Sequence, residues 1–479
     1  MTTPSTPAAT TQRVAAVVGF LVFVELTSGF IQGYYLPLFG KIAEHLGVSD
    51  ADITWFNTVQ TLAAAVCVPI LSRLGDIFGH RLMLRIGIVL VLAGTLLTAL
   101  APNLPVMLAA RLLIGPLAVW LPLEIGIVHS RVQGQSGRRA VGMLVSALTI
   151  GAVAGSIIGG FVGAAMPIVP ALLVPAAVVL VCAIIVFTVV PESTTRTLSK
   201  IDWLGFALLA VGMLAILFGL RSAQGAGFGN LTTIATLVVA AAIVVGFILW
   251  ELRVASPAIN VRVVASRALW PVYATSFLFG MSLFGTQTVM TTFYAADPDE
   301  VGYGFALSSG VIGLLTAASA LVAAIGAALF ATIAARTTMR GVLMLGVGLA
   351  ALANVLLAIG HASLPTVIAT VALSGFGGGL LLGALPALVA ELSPATETGI
   401  ATGLYNTLKT LGGSVAGAVF AVVLSAFALP GALASSIGGY VTVWLICAAA
   451  FALAFVLLLL VRVRGTQTTA LHTVATEAA

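Results

Sequence analysis

Long apolar runs follow one another from end to end of this chain, separated by short polar segments. They fall near residues 14–38, 52–74, 82–101, 105–129, 140–163, 168–190, 203–220, 230–250, 268–294, 307–333, 340–360, 364–390, 400–428 and 437–461. Runs of this length match the ~20 residues a helix needs to cross the hydrocarbon core of a bilayer. Backbone polar groups in lipid must be satisfied within the segment, and the runs are too long and too uniformly apolar for barrel strands, so they predict helices. Only 7% of the 479 residues are charged and 60% are hydrophobic. Globular proteins carry roughly 25% charged residues, so a soluble enzyme, a secreted disulfide scaffold and a disordered chain are all excluded. The expectation is an all-α membrane protein with fourteen spans.

Orientation follows from charge. With the N-terminus inside, sixteen of the 20 Lys and Arg residues fall on cytoplasmic segments or helix ends, among them Arg73, Arg81, Arg85, Arg131, Arg139, Arg336 and Arg340. Lys41 and Arg221 fall outside, and Arg111 and Lys409 lie within spans. This is the positive-inside pattern, with both termini cytoplasmic. A net charge of +5 is therefore a topology signal, and no nucleic-acid partner is expected. Residues 1–12 lack a basic n-region and read as a cytoplasmic tail. Cys67, Cys182 and Cys447 sit in apolar runs, and no histidine has metal-ligand spacing, so neither a disulfide nor a metal site is expected.

Charges inside apolar runs are costly and mark function. Arg111 needs a counter-charge, and Glu25 in the first span is the obvious candidate. By helix rise Glu25 lies ~18 Å and Arg111 ~27 Å from the inner ends of their spans, a gap that a long Arg side chain can largely cover. A carboxyl there can exchange a proton as its surroundings change. Glu124, in the inner quarter of the fourth span, is read as a second proton site, a contact for cationic substrates, a residue reaching the inner mouth, or a partner of Arg131.

Residues 72–81, Ser-Arg-Leu-Gly-Asp-Ile-Phe-Gly-His-Arg, resemble the G-x-x-x-D-[RK]-x-G-[RK]-[RK] loop of the major facilitator superfamily, with Asp76, Gly79 and Arg81 matching. Ser72 replaces the first glycine. An acid here can pair with an Arg and with the positive end of a neighbouring helix, holding the inner mouth shut. Arg111 and Gly115 resemble the R-x-x-q-G motif of the same family, with Ile114 in place of Gln. Gly151, Gly155, Gly159 and Gly160 resemble the G-x-x-x-G-P-x-x-G-G stripe of its drug:proton antiporters. Ser156 replaces the proline and removes the expected kink. The stripe is expected to let a helix of the other half approach closely. Asp202 and Gly205 resemble the fourteen-helix antiporter branch, as does the segment from Thr398 to Gly413, where Lys409 stands in place of a common Arg.

The resemblance implies a major facilitator fold: an N-terminal six-helix half over 13–192, a linker with two extra transmembrane helices over 193–262, a C-terminal six-helix half over 263–463, and a tail over 464–479. It implies a monomeric bacterial plasma-membrane antiporter with no cofactor, driven by the proton gradient, exporting lipophilic small molecules as a multidrug or antibiotic pump by alternating access. A dedicated natural-product exporter or lipid translocator is the second reading. Gln32, Tyr34, Tyr35, Asn57, Gln60, Trp120, Phe284, Gln287, Phe376, Tyr405, Asn406 and Lys409 are candidates for the substrate cavity, where aromatic faces can hold lipophilic cations. A membrane-embedded enzyme would need a catalytic cluster at one depth or a catalytic loop, and neither pattern is present.

Overall fold

The computed structural model describes residues 7–131, 134–190, 192, 202–254, 257, 259, 261–393 and 398–461, with the side chains of 7–17, 134, 135, 138 and 398–400 left out. Residues 1–6, the C-terminal tail, Pro191 and Lys200 lie outside this set. So do the side chains of Arg13 and Arg138, and all of Arg196, Arg462 and Arg464.

The fold is all-helical. Its long helices are α1 (Pro7–Tyr34), α2 (Asp50–Phe78), α3 (His80–Ala99), α4 (Leu104–Arg131), α5 (Gly134–Ala165), α6 (Ile168–Thr188), α7 (Trp203–Ala226), α8 (Leu231–Glu251), α9 (Trp270–Ala295), α10 (Ser309–Arg336), α11 (Met339–Gly360), α12 (Leu364–Leu392), α13 (Thr398–Ala426) and α14 (Ile437–Leu459). Among the described residues, twelve are both long and apolar enough to cross a membrane. That is two fewer than expected. The side chains of the first eleven residues of α1 lie outside the described set, and α9 carries eight Ser, Thr and Gln residues along its 26.

The packing repeats. Helix α1 packs on α5 as α9 packs on α13; α3 packs on α6 as α11 packs on α14; α2 meets α4 as α10 meets α12. One buried core serves α1–α6, and two others serve α9–α14. The two bundles join through α2 with α13 and α5 with α10, again a symmetric pair. Helices α7 and α8 pack on each other outside this repeat, with α7 touching α2 and α13.

Glycine sets the α1–α5 spacing. A Cβ at Gly151, Gly155 or Gly159 would overlap the backbone carbonyl of Leu26, Phe30 or Tyr34 respectively. The stripe thus faces a helix of its own bundle, not the other half. Only Gly160 looks across, where an added Cβ would lie 2.6 Å from Ser309 O on α10. Helix α5 runs unbroken through Ser156, whose hydroxyl donates to Gly33 O at 3.3 Å.

All helices alternate in direction, so one end of the molecule carries Arg81, Arg131 and Arg340 and the other Asp50, Asp52 and Asp297. The bundles are tied at the acidic end. Asp50 accepts from Ser435 N at 3.2 Å and from the Tyr440 hydroxyl at 2.8 Å, and its own N–H donates to Leu433 O. Arg221 of α7 pairs with Asp52 of α2 at 2.5 Å. Gln224 accepts from Trp55 Nε1 at 2.6 Å, while its backbone carbonyl accepts from Ser425 of α13 at 3.1 Å. Helix α7 therefore spans the joint between α2 and α13.

Gly155→Val drives a side chain into the α1 backbone. It is expected to lower unfolding free energy by about 1–3 kcal/mol or more, the usual penalty of overpacking. Gly19→Ala, where an added Cβ meets nothing, is expected to be near neutral. Thermal melts in detergent compare the two.

Candidate functional site: a buried acid pair beside a central cavity

The two membrane carboxyls meet each other. Glu25 of α1 and Glu124 of α4 are almost fully buried, and their carboxyl groups lie within hydrogen-bonding reach. No donor from the rest of the described protein reaches either oxygen of Glu124 or Oε2 of Glu25. The Ser28 side chain, one turn along α1, lies beside Glu25. Cys182 of α6 closes the pocket.

The expected Glu25–Arg111 ion pair is not made. Arg111 is buried at another depth, its guanidinium between the rings of Phe56 and Tyr35, 3.8 and 4.5 Å from their centroids. Its Nη2 donates to Gln60 Oε1 of α2. Tyr35 is ten residues beyond Glu25, about 15 Å along a helix axis. Two aromatic faces and an amide carbonyl replace a carboxylate as the hosts of this cation. Between Arg111 and Glu124 the helix tightens into a 3-10 segment, Gly115–Val119, with Pro116 at its start.

Glu124 does not reach the inner mouth or Arg131. Arg131 donates instead to the backbone carbonyl of Glu192, at 2.6 Å from Nη2. Glu192, missed in the sequence, also displaces Asp76 from its expected role. Its Oε1 accepts from Arg81 N at 3.0 Å, at the first turn of α3, where unpaired N–H groups favour an anion. Gly79 turns the chain there with φ +116°, and an added Cβ would lie 2.8 Å from the Glu192 carboxyl. Arg81 and Arg85 both donate to Phe187 O. Asp76, half-buried, pairs with the buried His80 at 3.2 Å. The only sequence signal for Glu192 was an acid following the sixth run at the same end as the loop.

A cavity of about 700 Å³ opens between the bundles. Its walls come mostly from α9, α10 and α12, with Gln32 of α1 and Thr149 of α5 on the facing side. Of the predicted cavity residues, Gln32 and Gln287 line it. Asn57 stands behind Gln287, donating to its Oε1 at 2.9 Å and to Phe284 O at 3.0 Å. The others point elsewhere. Tyr34 donates to Ala171 O at 2.7 Å, Tyr35 and Gln60 hold Arg111, and Trp120 is buried against Gly87. Phe376 is half-buried on α12, away from the cavity wall. Lys409 donates to Asn406 Oδ1 at 3.1 Å, with its ammonium 5.0 Å from the Tyr405 ring centroid. Sequence reasoning missed most of the wall, including Ser319, Asn354 and Trp444. Small hydroxyls and lone amides inside apolar runs carry no motif.

Among the described residues no group of His, Cys, Asp and Glu could hold a metal ion, and all three cysteines are free.

The sequence profile of the Major Facilitator Superfamily matches residues 20–296 and 272–476. The chain belongs to the Major Facilitator Superfamily. It is a multi-pass membrane transporter of small molecules, not an enzyme. It is 26% identical over 416 residues to the uridine/deoxyuridine transporter of Lactococcus lactis, covering 84% of each chain. It is 26% identical over 406 residues to the tetracenomycin C resistance and export protein of Streptomyces glaucescens, covering 80% of this chain and 71% of that one. The fold resembles the crystal structure of the nucleoside transporter NupG (D323A mutant), with a TM-score of 0.69, 15% identity, and coverage of 93% of this chain and 100% of that one.

Replacing Glu192 by Ala removes the anion at the start of α3. Losing such a cap costs about 1 kcal/mol. Thermal unfolding of Glu192→Ala is expected to show that loss, and Asp76→Asn, which keeps a side-chain oxygen for His80, a smaller one.

Proposed function

We propose that this protein is a proton-driven exporter of lipophilic small molecules working by alternating access. The observation that carries this reading is the Glu25–Glu124 pair. Two negative charges about 4 Å apart repel by about 4 kcal/mol even at an effective dielectric constant near 20. With no other donor in reach of Glu124, one proton between the carboxyls satisfies both groups. Such a pair is a one-proton store, loaded in one conformation and emptied when the pocket is hydrated or rearranged.

Alternating access supplies the rearrangement. Helices α1 and α4, which carry the pair, belong to one bundle, and the ties to the other bundle cluster at the acidic end. With the basic end assigned to the cytoplasm, the structure is closed toward the outside. Opening the acidic end breaks the Asp50 contacts and moves α1 against the cavity. The energy source is the proton gradient. Arg111, held by Gln60 and two rings, fixes the geometry of α1, α2 and α4 rather than serving as the proton's partner.

On this reading α1 and α9 also cross the membrane, giving the span number of the fourteen-helix antiporter branch, with α7 and α8 as its added pair. Export is favoured by the likeness to the Streptomyces glaucescens export protein. That same likeness supports the second reading, a dedicated natural-product exporter.

Proteoliposomes with an imposed pH gradient test the reading, with tetracenomycin C and uridine as probes. Wild type is expected to concentrate a probe against its gradient when protons run the other way. Glu25→Gln and Glu124→Gln are each expected to abolish uphill movement. Full gradient-driven transport in Glu25→Gln would overturn the proton assignment. Equal transport with and without the pH gradient would overturn proton coupling altogether.

A further inference from the structure

The acid pair does not border the cavity, yet one string of side chains joins them. Gln32 lines the cavity and donates from Nε2 to Ser28 Oγ at 3.3 Å. Ser28 in turn lies beside Glu25, one helical turn back, and Glu25 faces Glu124. Positions 25, 28 and 32 follow i, i+3 and i+7, one stripe of a helix. The Gln32 amide, which also donates to Ser28 O at 3.4 Å, leaves the Ser28 hydroxyl proton free to turn toward Glu25.

The cavity wall carries a second message. Among its described residues there is no Asp, Glu, Lys, Arg or His. It offers amides and hydroxyls (Gln32, Gln287, Asn354, Ser319) between apolar and aromatic surfaces. A fully charged cargo would be desolvated here without a counter-ion, which is strongly unfavourable. This differs from the cationic cargo that aromatic residues alone suggested.

We propose that the cargo is an uncharged molecule bearing an N–H or O–H group, and that Gln32 reports its arrival to the acid pair. The cargo donates to the Gln32 side-chain carbonyl. An amide whose oxygen accepts a hydrogen bond is a stronger N–H donor, because bonds in a chain polarise one another. Ser28 then becomes a stronger donor to Glu25, which favours the carboxylate. The proton shared with Glu124 is released to solvent, and no covalent bond other than that O–H is broken. The groups facing Glu25 from the packed elements are Glu124 on α4 and Cys182 on α6, while α5 presents Leu148, Gly151 and Ala152 near this turn. Gln32 and Ser28 are positioning residues in this scheme; Glu25 and Glu124 hold the proton.

This inference rests on the proton store proposed above, and the test separates the two. Full-length protein in detergent and weak buffer is titrated with three dyes while a pH indicator reads proton release. The dyes are 7-amino-4-methylcoumarin, its N,N-dimethyl analogue without a donor, and the cation ethidium. Wild type is expected to bind the aminocoumarin and release protons, to bind the dimethyl analogue without release, and not to bind ethidium. Ser28→Ala, outside the cavity wall, is expected to bind the aminocoumarin but lose the release, and Gln32→Leu to lose the release as well. Wild-type release in Ser28→Ala or Gln32→Leu would overturn the relay. If Glu25→Gln then lacks release, the proton store still stands. Release in Glu25→Gln would overturn both. Equal release with the dimethyl analogue would overturn the donor requirement. Saturable ethidium binding, or no binding of the aminocoumarin, would overturn the uncharged-cargo assignment.

Discussion

Two carboxyl groups facing each other in an apolar pocket constrain everything else this protein can do. Neither Glu25 nor Glu124 is exposed, and no donor from outside the pair reaches Glu124. Ionising both would place like charges in contact where water cannot screen them. The pair therefore ties its charge state to the packing of α1 on α4 and α6. Anything that moves α1 changes that state, and α1 is also the helix that offers Gln32 to the cavity.

The movement of α1 is itself restricted. Its backbone lies against α5 at glycine contacts from Leu26 to Tyr34, so the two helices must shift as one body. The corresponding pair in the second bundle has the same device: an added Cβ at Gly280 of α9 would overlap Lys409 O, and one at Gly412 of α13 would overlap Phe277 O. Stiff helix pairs related by the internal repeat leave the joints between bundles as the places that yield. Polar bonds cross those joints, among them Asn57 with Gln287, Thr58 with Ser414, and Asp50 with Tyr440 and Ser435. Hydrogen bonds of this kind can be exchanged for water at modest net free energy, about 1 kcal/mol each. A rocking motion between the bundles needs that.

Apolar runs made the helices legible, and charges within those runs made Glu25, Arg111 and Glu124 legible as individuals. Their pairing was not legible. It depends on which way each side chain points around its helix, and the 3-10 segment Gly115–Val119 breaks the helical register between Arg111 and Glu124. Charge complementarity favoured Glu25 with Arg111. The guanidinium instead found two rings and an amide, groups that no motif announces. Asp76, Gly79 and Arg81 were legible as a turn, but the anion that seats there is Glu192, brought from the end of α6 by tertiary packing. The glycine stripe was legible as a close contact, with its partner helix misassigned. The cavity was the least legible, because its wall is built from Ser, Thr, Ala and Gly on several helices that also serve as ordinary packing residues.

The most direct test of the shared proton is the infrared spectrum of the purified protein at neutral pH, read in the region of the protonated carboxyl C=O stretch. The account expects a buried carboxylic-acid band that resists exchange into deuterated water, shifts when either Glu25 or Glu124 is replaced by Gln, and is absent when both are replaced. A wild-type spectrum with no such band, or one whose band persists unchanged in the double replacement, would contradict it.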